Sequence, residues 1–240
     1  MEEIFKNSKR IHDEFYLKEK IVVKESVKFL FEEIKRNHND NFSLIDIGCA
    51  TGIFISYINQ KLPNVKITAV DLLESLLEKA KINCPSADLY QLDIYDKDSV
   101  SSILKDKKFD AVVLDGVHTM FDDVKPWIEN LTNIVTDSGM IYVFGSFNDS
   151  AYDVVTRIKS VGSNIWEKGW NRFSLETCKR EFEKNNFSVK FKKFNIDLEI
   201  KKTDDDRRTY TQRLDDGSII TRNGLELIST PYLISCKKNI

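Results

Sequence analysis

Short apolar runs alternate with segments whose apolar residues recur every three or four positions, from residue 44 to residue 147. The clearest run, 109–115, is apolar at nearly every interior position, as expected of a strand that is covered on both faces. The clearest helical stripe comprises Leu73, Leu76, Leu77 and Ala80. The alternation predicts five strands joined by helices, the strands lying at 44–47, 65–70, 87–92, 109–115 and 140–147.

Strands and helices in this order form repeated βαβ units, in which the strands of one sheet run parallel and helices cover both faces. The right-handed crossover rule leaves few topologies for such a chain. We therefore predict an α/β fold built on a doubly wound, mostly parallel sheet. Before this region, Val23, Val27, Leu30 and Ile34 follow a helical stripe and predict an N-terminal helix.

The pattern changes after residue 147, where a long insertion precedes a helix for which Ser174 is a suitable N-cap. Alternating Phe and Val then predict a strand, and Asp216-Gly217 and Asn223-Gly224 predict hairpin turns. The last third of the chain is therefore expected to be antiparallel. We expect an N-terminal helical cap at 1–40 and one domain at 41–240, with an insertion at 148–170 and a hairpin at 197–224.

Composition narrows the class of protein. Hydrophobic residues make up 41% of the 240 residues and charged residues 31%, as in an ordinary globular protein. The net charge of -2 gives no electrostatic basis for a nucleic-acid or membrane partner. The four cysteines are scattered, and the N-terminal residues lack the apolar core of a signal peptide. We expect a cytoplasmic protein, monomeric or homodimeric, that acts on a small molecule.

The sequence "DIGCATG" links the first predicted strand to the next helix. Ligands of doubly wound sheets bind beyond the carboxyl ends of the strands, where backbone N–H groups and the helix dipole converge. Gly48 and Gly52 allow a tight turn, and Ala50 adds only a methyl group if its φ is negative. Asp71 ends the second strand, where an acidic side chain can accept hydrogen bonds from ribose hydroxyls.

Two more aspartates follow strands on the same side of the predicted sheet. Asp93 could accept from an adenine amino group, with Ile94 packing on the ring, and Asp115 ends the fourth strand. One aspartate after a strand is more often an N-cap or turn residue. The ordered set of Asp46, Asp71, Asp93 and Asp115 is stronger evidence, because a purely structural role does not require all four.

These residues resemble the motifs of the class I S-adenosylmethionine (SAM)-dependent methyltransferases. The acidic-x-Gly-x-Gly-x-Gly motif is matched with Ala50 at the middle glycine, and the similarity extends through "FDAVVLDGVHTMF" to about Phe147. The resemblance implies a seven-stranded sheet with an antiparallel C-terminal strand, and SAM as cofactor with S-adenosylhomocysteine (SAH) as its product. The residues implied to bind the cofactor are Asp46, Gly48, Cys49, Ala50, Gly52, Asp71, Leu72, Asp93, Ile94 and Asp115.

Two alternatives remain on the same fold. An NAD(P)-dependent oxidoreductase would need G-x-G-x-x-G, whereas this loop offers G-x-A-x-G and leaves Asp93 and Asp115 unexplained. A non-catalytic SAM-binding protein would keep the pocket and lose the chemistry.

Candidate groups for methyl transfer lie after the fourth strand. His118 lies three residues after Asp115. The ordinary pKa of a histidine suits deprotonation of a hydroxyl near neutral pH, so we predict His118 as the catalytic base. The alternative is that His118 packs against the next helix. No Asn/Asp-Pro-Pro-aromatic motif follows this strand, and no further carboxylates near Tyr142 indicate a metal site. The prediction is O-methylation of a small, polar metabolite, an anionic one included, without a metal; N-methylation is the alternative.

Substrate contacts are expected from the variable segments. The aromatic residues Tyr16, Trp166 and Trp170 could form a lid over the site. Alternatively, they could seal the core beneath a long loop. A basic run containing Lys201, Lys202, Arg207, Arg208 and Arg213 could bind an anion, but Asp204 to Asp206 interrupt it, which favours a self-neutralised, solvated hairpin. The predicted substrate-binding residues are His12, Tyr16, Trp170 and Arg172.

Overall fold

The structure is a computed structural model, and it describes residues 2–10, 14–17 and 22–239. The α-helices are α1 (Glu2–Asn7), α2 (Glu25–Asn37), α3 (Ile53–Lys61), α4 (Glu74–Asn83), α5 (Lys97–Leu104), α6 (Lys125–Ile134) and α7 (Leu175–Lys184). In the described part of the chain, short 3₁₀ helices cover Glu14–Leu17 and Val117–Met120. Within the described ranges, every helix is too short or too polar to cross a membrane.

The strands follow the predicted order along the chain. They are β1 (Lys9–Arg10), β2 (Ser43–Ile47), β3 (Lys66–Asp71), β4 (Asp88–Gln91), β5 (Phe109–Asp115), β6 (Val135–Ser146), β7 (Arg157–Ile158), β8 (Glu167–Lys168), β9 (Phe187–Lys193), β10 (Thr209–Arg213), β11 (Ile219–Asn223), β12 (Ile228–Ser229) and β13 (Pro231–Lys238).

Seven of these strands form one sheet in the order β4-β3-β2-β5-β6-β13-β9. The pairs from β4 to β6 are parallel, and β13 is antiparallel to both β6 and β9. This arrangement confirms the predicted doubly wound, mostly parallel seven-stranded sheet with an antiparallel C-terminal strand. Strand order reverses between β2 and β5, so the carboxyl ends of these two strands are where a ligand is expected.

Neighbouring residues of the central strands pack on opposite faces of the sheet. Ile45 and Val112 belong to one core with residues of α5, α6 and α7, whereas Leu44 and Val113 belong to a second core with residues of α2, α3 and α4. Side chains of a strand alternate between faces, so a strand must be apolar throughout when both faces are covered. That is why these strands appear in the sequence as continuous apolar runs.

One strand differs markedly in extent from the sequence prediction, and two other features are confirmed. The strand predicted at 140–147 begins earlier, at Val135, and residues 136–139 form an irregularity within β6, between the pairs Phe109–Val135 and Ala111–Met140. The strand predicted from the alternating Phe and Val residues covers Phe187–Lys193. Ser174 is confirmed as the N-cap of α7, where its Oγ accepts a hydrogen bond from the backbone N–H of Glu176 at 3.1 Å.

Among the described residues, two small sheets lie outside the central one. Strands β10, β11 and β12 form an antiparallel sheet whose turns fall at the two predicted Gly-containing positions. Strand β1 pairs in parallel with β8, and β8 pairs with β7. The N-terminal segment is thus joined to the insertion after β6, an association between distant segments that no local pattern indicated.

Candidate functional site

The loop between β2 and α3 turns tightly at the carboxyl end of the central strand. The backbone N–H groups of Gly48 and Cys49 both donate to the carbonyl oxygen of Val70, at 2.8 and 3.0 Å. Gly48 has a φ of +76°, and a Cβ at this position would clash with the side chain of Val117. Gly48 is therefore required both for its backbone conformation and for space.

Ala50 has a φ of +48°, so the condition under which Ala50 would add only a methyl group, a negative φ, is not met. Its backbone N–H donates to Asp71 Oδ2 at 2.9 Å, and this bond fixes the loop in the left-handed conformation. A left-handed conformation costs an L-residue about 1–2 kcal/mol. The loop therefore has the glycine-type geometry of the motif although it lacks the middle glycine.

Asp71 lies at the end of β3 and holds two backbone groups of the site. Its Oδ2 accepts from Ala50, and its Oδ1 accepts from the backbone N–H of Leu73 at 3.0 Å. A carboxylate oxygen can accept a second hydrogen bond, so this geometry is compatible with two further donors such as the hydroxyls of a ribose.

Asp93 lies beyond β4 and pairs with a residue from the N-terminal segment. Its Oδ2 is 2.6 Å from Arg10 Nη1, and its Oδ1 accepts from the backbone N–H of Tyr95 at 3.0 Å. The Arg10 guanidinium also lies 5.5 and 5.2 Å from the ring centroids of Tyr95 and Phe121, which stack on each other. The carboxylate predicted to bind adenine is thus in contact with an arginine that the sequence analysis did not identify.

Asp46 and Asp115 come from the two central strands at the switch point. Burial, and then the charges of Asp115 and Asp71, raise the pKa of the Asp46 carboxyl well above its usual range. Burial also raises the pKa of Asp115 to about 6, although Lys24 acts in the opposite direction. Carboxyl groups that are buried near one another favour a cationic ligand, because a cation offsets both the desolvation and the mutual repulsion.

These groups line one cavity of about 510 Å³, a size in the usual range for small-molecule sites. Of the residues predicted to bind the cofactor, only Gly52 is not in its wall; that residue has a φ of +79° and precedes α3. The structure therefore brings together Asp46, Gly48, Cys49, Ala50, Asp71, Leu72, Asp93, Ile94 and Asp115.

His118 is not in the wall of this cavity but in the core behind it. Its side chain is fully buried and stacks on Phe147 at a centroid distance of 4.3 Å. Its Nε2 lies 3.1 Å from the carbonyl oxygen of Ser146, which can only accept, so Nε2 carries the proton. Burial lowers the pKa of His118 to about 4. The geometry corresponds to the alternative of a packed, neutral histidine, and a catalytic role has no support from it.

The predicted substrate-binding residues separate in the structure. Tyr16 and Trp170 are in the cavity wall, and Trp170 has a φ of +54°. Arg172 lies elsewhere: its Nη1 donates to the carbonyl oxygen of Ile228 at 2.8 Å and so joins the insertion to β12. His12 lies outside the described residues.

Trp170 is held over the cavity by its buried neighbour Asn171. The Asn171 amide donates to the carbonyl oxygen of Phe121 at 2.6 Å, and its backbone N–H donates to that of Thr119 at 2.9 Å. Asp122, which directly follows Phe121, pairs with Lys168 of β8. The insertion after β6 is thereby fastened to the connection that follows β5.

Four basic residues of the cavity wall were not among the predicted site residues. Arg10 and Lys24 come from the N-terminal segment, and Arg207 and Arg208 come from the segment before β10. Arg207 and Arg208 both pair with Asp205, as predicted for a self-neutralised hairpin. They also line the cavity, which the prediction of a solvated hairpin did not include. Their position was not detectable in the sequence because it depends on how the small sheet docks.

Comparison with known proteins agrees with this geometry. Residues 45–141 match the family model of a methyltransferase domain. Malonyl-[acyl-carrier protein] O-methyltransferase 2 of Ilyobacter polytropus is 25% identical over 140 residues, which cover 58% of this chain and 52% of that protein. The ubiquinone biosynthesis O-methyltransferase of Rickettsia typhi is 27% identical over 119 residues, covering 49% and 47%. The chain thus spans about half the length of these two relatives.

Among solved structures, the magnesium protoporphyrin IX methyltransferase of Synechocystis, which has SAH bound, is similar with a TM-score of 0.57. The sequences are 11% identical, and the match covers 90% of this chain and 83% of that chain. At this identity the similarity establishes the fold, and it agrees with the strand order described above.

Proposed function

We propose that the chain is a class I SAM-dependent methyltransferase, an enzyme that transfers the methyl group of SAM to an oxygen atom of a small, polar acceptor. SAM supplies an electrophilic methyl group on a sulfonium. What the protein must supply is a site that binds this cation, orients an acceptor and excludes water.

The observation that carries the proposal is the convergence of four aspartates on one cavity at the carboxyl ends of the strands. The buried carboxyl groups of Asp46 and Asp115 provide negative potential for a ligand with a sulfonium and an ammonium group. We assign the ribose hydroxyls to Asp71 and the adenine to Asp93 and Ile94. The backbone N–H groups of the Gly48 loop would lie next to the rest of the cofactor.

Transfer to oxygen is favoured over transfer to nitrogen by the names of the two sequence relatives, which are both O-methyltransferases. N-methylation of a small molecule is the alternative, and a non-catalytic SAM-binding protein would share the same cavity. We propose no metal ion for the reaction.

Calorimetric titration of the full chain with SAM, SAH and NAD tests the cofactor. We expect SAM and SAH to bind in the micromolar range and NAD not to bind. Tight NAD binding without heat from SAM or SAH would refute the proposal. Transfer of tritiated methyl from SAM into a fraction of cell metabolites would then distinguish an enzyme from a binding protein.

The variant Asp71→Asn tests the assigned site. Hydrogen bonds to a charged group contribute about 1.5–3 kcal/mol each, so loss of the charge should weaken SAH binding roughly 10- to 150-fold. Asp88→Asn is the matched control, since Asp88 is exposed on the neighbouring strand and is not in the cavity wall. Equal affinities for the two variants, both with native thermal unfolding, would contradict the assignment.

A further inference from the structure

The charged residues of the cavity wall are separated by sign. The acidic residues, Asp46, Asp71, Asp93 and Asp115, all come from strand ends of the central sheet. The basic residues all come from segments that cover the sheet, namely the N-terminal segment and the residues just before β10. A cation therefore matches the sheet side of the cavity, and an anion matches the covering side.

Arg207 and Arg208 are held in place by one aspartate. Asp205 accepts from Arg207 Nε at 3.1 Å and from Arg208 Nε at 3.2 Å. The Arg207 hydrogen bond is the leading cause that lowers the pKa of Asp205 to about 2. Two guanidinium groups thus contact the same carboxylate, which orients them at the cavity.

The segment that carries the two arginines is anchored to the small sheet. The backbone N–H of Gly224, in the turn between β11 and β12, donates to the carbonyl oxygen of Asp206 at 2.8 Å. A Cβ on Gly224 would clash with Asp206, so the close approach requires glycine. The antiparallel sheet therefore supports the position of Arg207 and Arg208 at the cavity.

Lys24 adds a third positive charge on the covering side. It is in the cavity wall and lies near enough to Asp115 to act against the rise in that group's pKa. Lys24 Nζ also lies 5.3 Å from the ring centroid of Tyr16, another residue of the wall. Lys24 and Tyr16 therefore place positive charge and an aromatic ring beside the central aspartates.

On the premise that the proposed methyl transfer is correct, we infer that the acceptor is an anion, with a carboxylate or phosphate group bound by Arg207, Arg208 and Lys24. Guanidinium groups bind both kinds of oxyanion. An anionic oxygen needs no general base, which agrees with the lack of any histidine in the cavity wall among the described residues.

The step is balanced without a proton acceptor. A lone pair of the anionic oxygen forms the new C–O bond as the C–S bond of the sulfonium breaks, and that bonding pair remains on sulfur. One negative charge of the acceptor and the positive charge of the sulfonium are lost together. A reaction that neutralises charge is favoured in a cavity from which water is excluded.

Calorimetry on the SAH complex of the full chain, at low ionic strength, tests the inference. The ligands are inorganic phosphate, succinate and the neutral analogue succinamide. We expect phosphate or succinate to bind and succinamide not to bind, and the two anions distinguish a phosphate site from a carboxylate site. The double variant Arg207→Gln/Arg208→Gln should weaken anion binding at least tenfold.

The control is Arg213→Gln, because Arg213 lies in the adjoining strand β10 but outside the cavity wall. It should change anion affinity less than twofold, and SAH should bind equally to all three proteins. The inference would be overturned if the protein bound SAH but preferred neither anion over succinamide. It would also be overturned if Arg213→Gln weakened anion binding as much as the double variant does. Absence of SAH binding would instead refute the proposed function.

Discussion

The loop between β2 and α3 contains one residue in an unfavourable backbone conformation, which a single substitution can relieve. Ala50 has a φ of +48°, a conformation that an L-residue disfavours, and its N–H donates to Asp71 Oδ2. Ala50→Gly keeps the N–H and the hydrogen bond while removing the Cβ that makes this conformation unfavourable. We expect the variant to be more stable than the wild type.

The magnitude follows from two opposing effects. Relief of the left-handed conformation contributes about 1–2 kcal/mol to the free energy of unfolding. Glycine also has greater freedom in the unfolded chain, which costs about 0.4–1 kcal/mol. The net gain lies between about 0 and 1.6 kcal/mol, with a midpoint of about 0.8 kcal/mol that corresponds to a rise in Tm of about 2–3 °C for a chain of this size.

Thermal unfolding monitored by calorimetry or circular dichroism measures this gain. Ala151→Gly is the control, because Ala151 is exposed and is not among the residues with positive φ. It has no left-handed conformation to relieve, so its Tm should stay the same or fall slightly. A Tm of Ala50→Gly at or below that of the wild type would refute the reasoning, since the loop would then not be under conformational strain.

Three further predictions concern charge and burial. Arg10→Gln should tighten SAH binding by up to about fivefold in calorimetry, because Asp93 would no longer have to give up its ion pair with Arg10 when the cofactor binds. A partly exposed ion pair contributes at most about 1 kcal/mol, which sets this limit. Weaker binding would mean that Arg10 contacts the cofactor. SAM affinity should fall up to about tenfold from pH 7.5 to pH 5, because Asp115, with its pKa of about 6, becomes protonated, and Asp115→Asn should abolish this dependence if the carboxylate is responsible. His118→Ala should lower the free energy of urea unfolding by about 2–4 kcal/mol at pH 7.5. That difference should shrink by about 2 kcal/mol at pH 5, since the wild-type histidine titrates at about 6.5 when unfolded and has a pKa of about 4 when folded; an equal difference at both pH values would contradict a buried neutral imidazole.

The sequence by itself determined the central sheet and the acidic side of the cavity. Strands covered on both faces must be apolar throughout, and the helices between them must carry an apolar stripe, so both leave a periodic pattern in the chain. Parallel strands also bring their carboxyl ends to one edge. Aspartates that follow those strands, such as Asp46 and Asp71, were therefore placed together without knowledge of any distance.

Only the tertiary structure decided what covers that edge. The pairing of β1 with β8, the contact of Arg10 with Asp93 and the position of Arg207 and Arg208 each join segments far apart in the chain. Such contacts depend on docking between elements and leave no local periodicity. His118 shows the same limit, because the short 3₁₀ helix after β5 directs its side chain to the core behind the cavity, and sequence spacing alone does not encode that direction.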